Sequence, residues 1–209
     1  MFSGYLLSTL DGLKLALVQH VVCLAVTRAL DEVSARAGAG DAGFRIKWPN
    51  DVYCGRLKIG GVLCESSLRA SGEFSLVFGL GLNVNNSAPT TCVRDAVAQA
   101  AADSELKVSR EEVMALVLSH MEDLLGVLEA EGFGGTLRDL YLERWIHSGQ
   151  QVELDLGQGD GTVPAVISGI DAQGYLTAEV DGEGTVTLNP DMTRLDPLEG
   201  TLRVMPPGH

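Results

Sequence analysis

Residues 44–67 read FRIKWPNDVYCGRLKIGGVLCESS, and no other stretch restricts the fold so tightly. Apolar runs flank a Trp-Pro-Asn-Asp turn signal, which predicts strands over Phe44–Trp48 and Ile59–Leu68. Yet Lys47, Asp51 and Lys58 stand among them. Burying an unpaired ammonium is costly, so either these lysines turn to solvent or something anionic lies between them. Pro49 ends the first strand and places Asn50 and Asp51 at its C-terminal mouth, while Lys58 opens the next strand. Gly60 and Gly61 follow at once, and adjacent glycines leave a strand surface that a ligand or another backbone can approach. A point cation, an acid, an amide and a bare strand would suit a small acid with its carboxylate or phosphate at Lys58. The same spacing fits a plain hairpin with solvated lysines, and spacing alone leaves both readings open.

A third strand is expected over Glu73–Asn85, EFSLVFGLGLNVN, whose apolar middle predicts cover on both faces. GLGLNVNN is not a dinucleotide-binding fingerprint, because no third glycine and no helix start follow. Gly79 and Gly81 instead predict close approach of a neighbour or ligand. Asn83 is either a buried, satisfied amide or a site-lining one.

Helical spacing recurs in LKLALVQHVVCLAVTRAL, residues 13–30. Lys14, Gln19, His20 and Arg28 argue against a membrane span there, and Asp11 without a basic leader argues against a signal peptide. A core-facing helix is the expectation. A further helical region starts near Val93. Ser109 and Glu112 have the spacing of a capping box ahead of Val113, Leu116, Val117, Met121, Leu124 and Leu128. Thr136 is a candidate cap for a short helix after it. From Gln150 onward, short alternating runs separated by GQGDG, DAQG and DGEG predict a small antiparallel barrel or sandwich. The expected organisation is a domain at 1–148 and a small β domain at 149–209.

With 28 acidic residues against 15 basic ones, the chain is a poor match for nucleic acid or an anionic membrane, both of which call for a basic face. Clustered cations on such a protein point to a small anion. Cys23, Cys54, Cys64 and Cys92 show no pairing pattern and read as reduced intracellular thiols. The four histidines are scattered, so spacing argues for no metal site. Trp48 and Trp145 read as core anchors. No nucleophile elbow supports a hydrolase.

KWPNDVYCGRLKIGGVLCES followed by GLGLNVNNSAPTTC resembles the biotin protein ligase family, in its eukaryotic holocarboxylase synthetase-like branch. YLERWIHSGQQV and the small C-terminal β domain are similar to that branch too, so the resemblance spans nearly the whole chain. It implies an α/β (α+β) fold: a mixed sheet with flanking helices like class II synthetases, plus an SH3-like barrel. It implies activation of biotin by ATP, assisted by Mg²⁺, to biotinyl-5′-AMP. Transfer to a lysine on the biotin carrier domain of a carboxylase would follow, in a cytoplasmic or organellar setting. Carried over residue by residue, Lys58 would contact the biotin carboxylate and the α-phosphate, and Asp51 would orient or deprotonate the acceptor lysine. Asn50 would touch adenine, and Gly60, Gly61, Gly79 and Gly81 would line the biotin slot through backbone. Lys47, Trp48 and Asn83 would support the site, with no protein-bound metal.

The family's GRGRxGR-type loop is expected before these boxes, and residues 2–10, FSGYLLSTL, resemble the strand that follows it. The resemblance thus implies a chain that starts some way into the catalytic domain and transfers biotin at no useful rate by itself. A binding protein without turnover is the alternative within this reading. A lipoate or octanoyl transferase is a third, disfavoured by the KWPND wording.

Overall fold

The computed structural model describes residues 1–8, 10–155, 161–189, 193–196 and 201–204, and the chain divides into two units, Met1–Ile146 and His147–His209. In the first unit the apolar runs form five strands, β1 (Phe2–Ser8), β2 (Phe44–Lys47), β3 (Asp51–Cys54), β4 (Leu57–Leu68) and β5 (Phe74–Leu82). Four helices accompany them: α1 (Gly12–Arg36), α2 (Val93–Ala101), α3 (Arg110–Glu131) and α4 (Thr136–Arg144). The sheet runs β1-β5-β4-β3-β2, and all four pairings are antiparallel. Among the described residues of this unit the parallel element that makes a sheet mixed is one bridge, Ile46 with Trp145, where the Ile146 amide donates to the Ile46 carbonyl at 3.0 Å.

Helix α1 is the centre of this unit. Asp11 caps it by accepting from the Lys14 amide at 2.9 Å, and the apolar stretch beyond it is buried through Val18, Val22, Cys23, Val26 and Leu30. It is long and apolar enough to cross a membrane, but those side chains are spent on packing within the protein. The helix covers the sheet face formed by Phe44, Ile46, Val52, Ile59 and Val62, all at most 3% exposed. Burying large apolar side chains contributes about 1.5–3 kcal/mol each, which fixes which way the sheet faces.

Helix α3 packs against α1 through Val113, Val117, Met121, Leu124 and Leu128, with Leu116 at the half-buried margin. Ser109 does cap it, accepting from the Glu112 amide at 3.2 Å. The reciprocal half of the capping box is absent, because the Glu112 carboxylate accepts from Arg36 at 2.7 Å instead. Thr136 is likewise not a cap. It is the first residue of α4 and its hydroxyl donates to Glu131 at 3.1 Å, with Gly135 at the cap position.

The second unit is a six-stranded sheet in the order β10-β11-β6-β7-β8-β9, with β6 (Gln151–Asp155), β7 (Val163–Ile170), β8 (Leu176–Val180), β9 (Gly184–Leu188), β10 (Thr193–Asp196) and β11 (Thr201–Val204). Alternation buries Ala165, Ile167, Leu176, Ala178 and Val180 on one face. The expectation of purely antiparallel pairing is corrected at one place: β11 lies parallel to β6. Such a pair needs a long crossover, which the intervening strands provide. Part of the GQGDG turn lies outside the described residues.

Candidate active site

The lysines of the opening stretch do not simply turn to solvent. Lys47 lies opposite Asp51 across β2 and β3, and Asp51 lies opposite Gly61 across β3 and β4. A regular continuation would pair Lys58 with Cys54 and send its side chain to the helix-covered face. Instead a β-bulge shifts the register, so that Tyr53 pairs with Lys58 and Val52 with Gly60, leaving Ile59 as the extra residue. Ile59 and Gly60 both turn to the core, and Lys58 and Gly61 both turn to the open face. Side chains alternate with period 2, so this one inserted residue decides whether Lys58 meets Asp51 at all.

It does meet it. Lys58 Nζ is 2.5 Å from Asp51 Oδ1, and Lys47 Nζ is 4.0 Å from Asp51 Oδ2. The Asp51 and Lys47 side chains are 17% and 16% exposed, whereas that of Lys58 is 51% exposed. One carboxylate thus sits between a fixed ammonium and one with a free approach to solvent.

The glycines separate into two roles. Gly61 pairs with Gly81 and Leu63 with Gly79 across β4 and β5, so Gly61, Gly79 and Gly81 share the face that carries Asp51 and Lys58. A methyl group on Gly81 would meet nothing within 4 Å, and on Gly79 nothing closer than 3.9 Å. On Gly61 it would lie 3.0 Å from Asp51 Oδ1 and 3.5 Å from Lys58 Nζ. These three form a bare strip running up to the ion pair. A methyl group on Gly60 would point the other way and stand 2.7 Å from the Gly81 carbonyl oxygen, so Gly60 permits close packing of β4 against β5.

The remaining expected residues support this arrangement. Asn50 donates from Nδ2 to the Val62 carbonyl at 2.7 Å, and the Val62 amide donates to the Asn50 carbonyl at 2.8 Å. That double latch fixes the turn that presents Asp51. Trp48 is buried at 1% exposure, and the Pro49 carbonyl accepts from the Tyr141 hydroxyl at 3.3 Å. Tyr141 itself packs against His20, Phe133 and Trp145. Asn83 is half-buried and satisfied at both ends of its amide: Nδ2 donates to Thr90 at 3.3 Å and Oδ1 accepts from Asn86 at 2.8 Å. It organises the loop after β5. Burial pushes the Cys64 thiol up to about 12 and the Cys23 thiol well above its ordinary value, so both stay neutral and neither supplies a nucleophile at neutral pH.

Sequence reasoning missed the flanks of the strip. Ser3 lies opposite Gly79 and Tyr5 opposite Val77 across β1 and β5, and Leu63 and Tyr5 are 63% and 61% exposed. Period-2 reading of FSGYLLS marks one side of β1, but only the register brings that side onto the glycines.

The Biotin/lipoate A/B protein ligase family profile matches residues 3–83. Biotin--protein ligase 2 of Arabidopsis thaliana is 37% identical over 195 residues, covering 92% of this chain and 58% of that protein. The Homo sapiens biotin--protein ligase is 35% identical over 195 residues, covering 91% of this chain and 26% of the human one. The chain therefore spans less than two thirds of these relatives' lengths. Among solved structures, the apo biotin protein ligase from Aquifex aeolicus superposes with a TM-score of 0.63 at 22% identity, covering 97% of this chain and 82% of that one. The same ligase in complex with biotin and ATP gives a TM-score of 0.61 at 22% identity, covering 89% of this chain and 75% of that one.

Proposed function

The chain is a member of the biotin protein ligase family, and from that premise we propose that its open strand face activates biotin with ATP and passes the biotinyl group to a lysine of a carrier domain. The observation that carries this reading is the Lys58–Asp51 pair at 2.5 Å at the end of a strip kept bare by Gly61, Gly79 and Gly81. Biotin lies along the strip with its carboxylate at Lys58. The carboxylate oxygen attacks the α-phosphorus of ATP, a P–O bond forms, and the bond to pyrophosphate breaks with its electron pair. Two anions approach one another in that step, and a fixed cation is the group that lowers its barrier. Asn50, latched to Val62, faces the base of the nucleotide. Asp51 takes a proton from the acceptor ammonium, which must be neutral to attack. Lys47 holds Asp51 in place from the far side.

Mg²⁺ is assigned no cage by this chain. Among the described residues no three of His, Cys, Asp and Glu converge, and Asp51 already faces two ammoniums.

The test is biotin-dependent exchange of pyrophosphate into ATP, measured on this chain and on the same chain with a GRGRxGR-type loop segment added before it, each run beside the same assay with lipoate. Exchange that requires biotin supports the reading. Exchange driven by lipoate instead, or binding of biotinyl-5′-AMP with no exchange, would replace it with a lipoate ligase or a binding module.

A further inference from the structure

The acid proposed to receive the acceptor lysine and the cation proposed to hold the phosphate are bonded to each other. Lys58 Nζ covers Asp51 Oδ1, while Oδ2 looks toward Lys47 at 4.0 Å. Gly61 lies on the same side, where a methyl group would stand 3.0 Å from Oδ1 and 3.5 Å from Lys58 Nζ, so Lys58 is the side chain set against that oxygen. The two lysines differ in freedom. Lys47 is 16% exposed and set across a strand pair, whereas Lys58 is 51% exposed on a flexible four-carbon stem. An ion pair so open to water holds weakly, and a phosphate can draw the ammonium away from it.

We propose that the Lys58–Asp51 ion pair is a gate on the second half-reaction, with Lys58 covering the acceptor-lysine position on Asp51 until the biotin carboxylate and the α-phosphate, joined in the adenylate, draw it off. This rests on the ligase reading above. When the adenylate forms, Lys58 turns to its phosphate and Oδ1 is uncovered, with Lys47 still beside Oδ2. The acceptor ammonium then takes the place of Lys58 and gives one proton to Asp51. Its nitrogen lone pair attacks the acyl carbon, the C–N bond forms, and the C–O bond to phosphate breaks. The electron pair leaves with AMP, and the second nitrogen proton passes to water. Carrier domains that arrive before activation find the position filled, so the enzyme does not sequester unactivatable complexes.

The gate predicts positive coupling between adenylate and acceptor lysine, which calorimetric titration reads directly. The titrants are a biotin carrier domain with its acceptor lysine and the same domain with that lysine replaced by alanine. Each is titrated with and without a saturating acyl-sulfamate analogue of biotinyl-5′-AMP, which keeps the negative charge and cannot react. The lysine-bearing carrier should bind on the order of tenfold more tightly when the analogue is present, and the alanine-bearing one should not change. In Lys58→Met the lysine-bearing carrier should bind tightly with or without the analogue. An affinity that ignores the bound analogue in the unaltered protein, or coupling that survives Lys58→Met, would overturn the gate while leaving the ligase reading intact. Failure of the unaltered protein to bind the analogue at all would overturn the ligase reading, and the gate with it.

Discussion

Lys58 and Asp51 form one ion pair, and the proposed ligase chemistry gives them different work that substitutions separate. Lys58→Ala removes the cation proposed to meet the developing charge, and biotin-dependent pyrophosphate exchange should fall by on the order of 10²–10³ with the fold intact. Asp51→Asn keeps shape and loses the proton acceptor, so exchange should persist in part while transfer to the carrier lysine slows most. Equal loss in both half-reactions would contradict this division. A second carboxylate reports on stability alone. Asp41 accepts from the Arg45 guanidinium and from the Gly43 amide, which hold its carboxyl at about 2, below the ordinary 3.8. A depressed carboxylate stabilises the fold above its unfolded value, and that contribution fades as pH falls from about 4 through about 2. The side chain is 52% exposed, so the effect is screened and should stay below about 1 kcal/mol. Asp41→Asn should flatten this part of the acid limb in thermal melts taken between these pH values. An acid limb unchanged in Asp41→Asn would remove the pair from the stability account.

At the scale of elements, strand β4 carries the site because of one inserted residue, and its glycines make a sharp comparison. Gly60→Ala forces a methyl group to 2.7 Å from a backbone oxygen and should destabilise the protein by about 1–3 kcal/mol. Gly81→Ala points into open space and should leave the thermal midpoint nearly unchanged while weakening biotin binding. Equal thermal losses in the two variants would mean that the strip glycines are there for packing. Much of this element was legible in the sequence, since KWPND and KIGG mark the turn, the acid, the cation and the bare surface. The bulge was not, because its signal is a pairing between strands and no residue pattern within β4 displays it. The run in β5 misled in the opposite direction. FSLVFGLGL reads as buried on both faces, yet Val77 is 44% exposed and the second face is the open strip. Apolar character there serves one face, and glycine supplies the rest. Thr136 is not the cap because the helix begins on it, with Gly135 before it, and its hydroxyl donates to Glu131 at the end of α3.

For the molecule as a whole, the open face has a cost. Leu63, Tyr5, Leu7 and Val77 are exposed near one another on β4, β1 and β5, and β1 is an edge strand. Contiguous exposed apolar surface beside an unpaired edge favours association. The chain should self-associate with rising concentration in sedimentation, and Leu63→Lys with Val77→Lys should suppress this; association undiminished by the pair would place it elsewhere. The α+β class was legible from the family boxes, while periodicity marked individual helices and strands. The parallel β11–β6 pairing was not, because strand direction within a sheet is set by tertiary packing and leaves no mark on short alternating runs. Lys58, set on a bare glycine strip, is the residue proposed to hold an activated biotin. Titration of the unaltered protein and of Lys58→Ala with biotinyl-5′-AMP, beside lipoyl-5′-AMP, tests it most directly. A hydrogen bond to a charged group contributes about 1.5–3 kcal/mol, so Lys58→Ala should bind biotinyl-5′-AMP on the order of 10- to 100-fold more weakly, and the unaltered protein should prefer it to the lipoyl compound. Equal affinity of Lys58→Ala and the unaltered protein for biotinyl-5′-AMP would contradict the account.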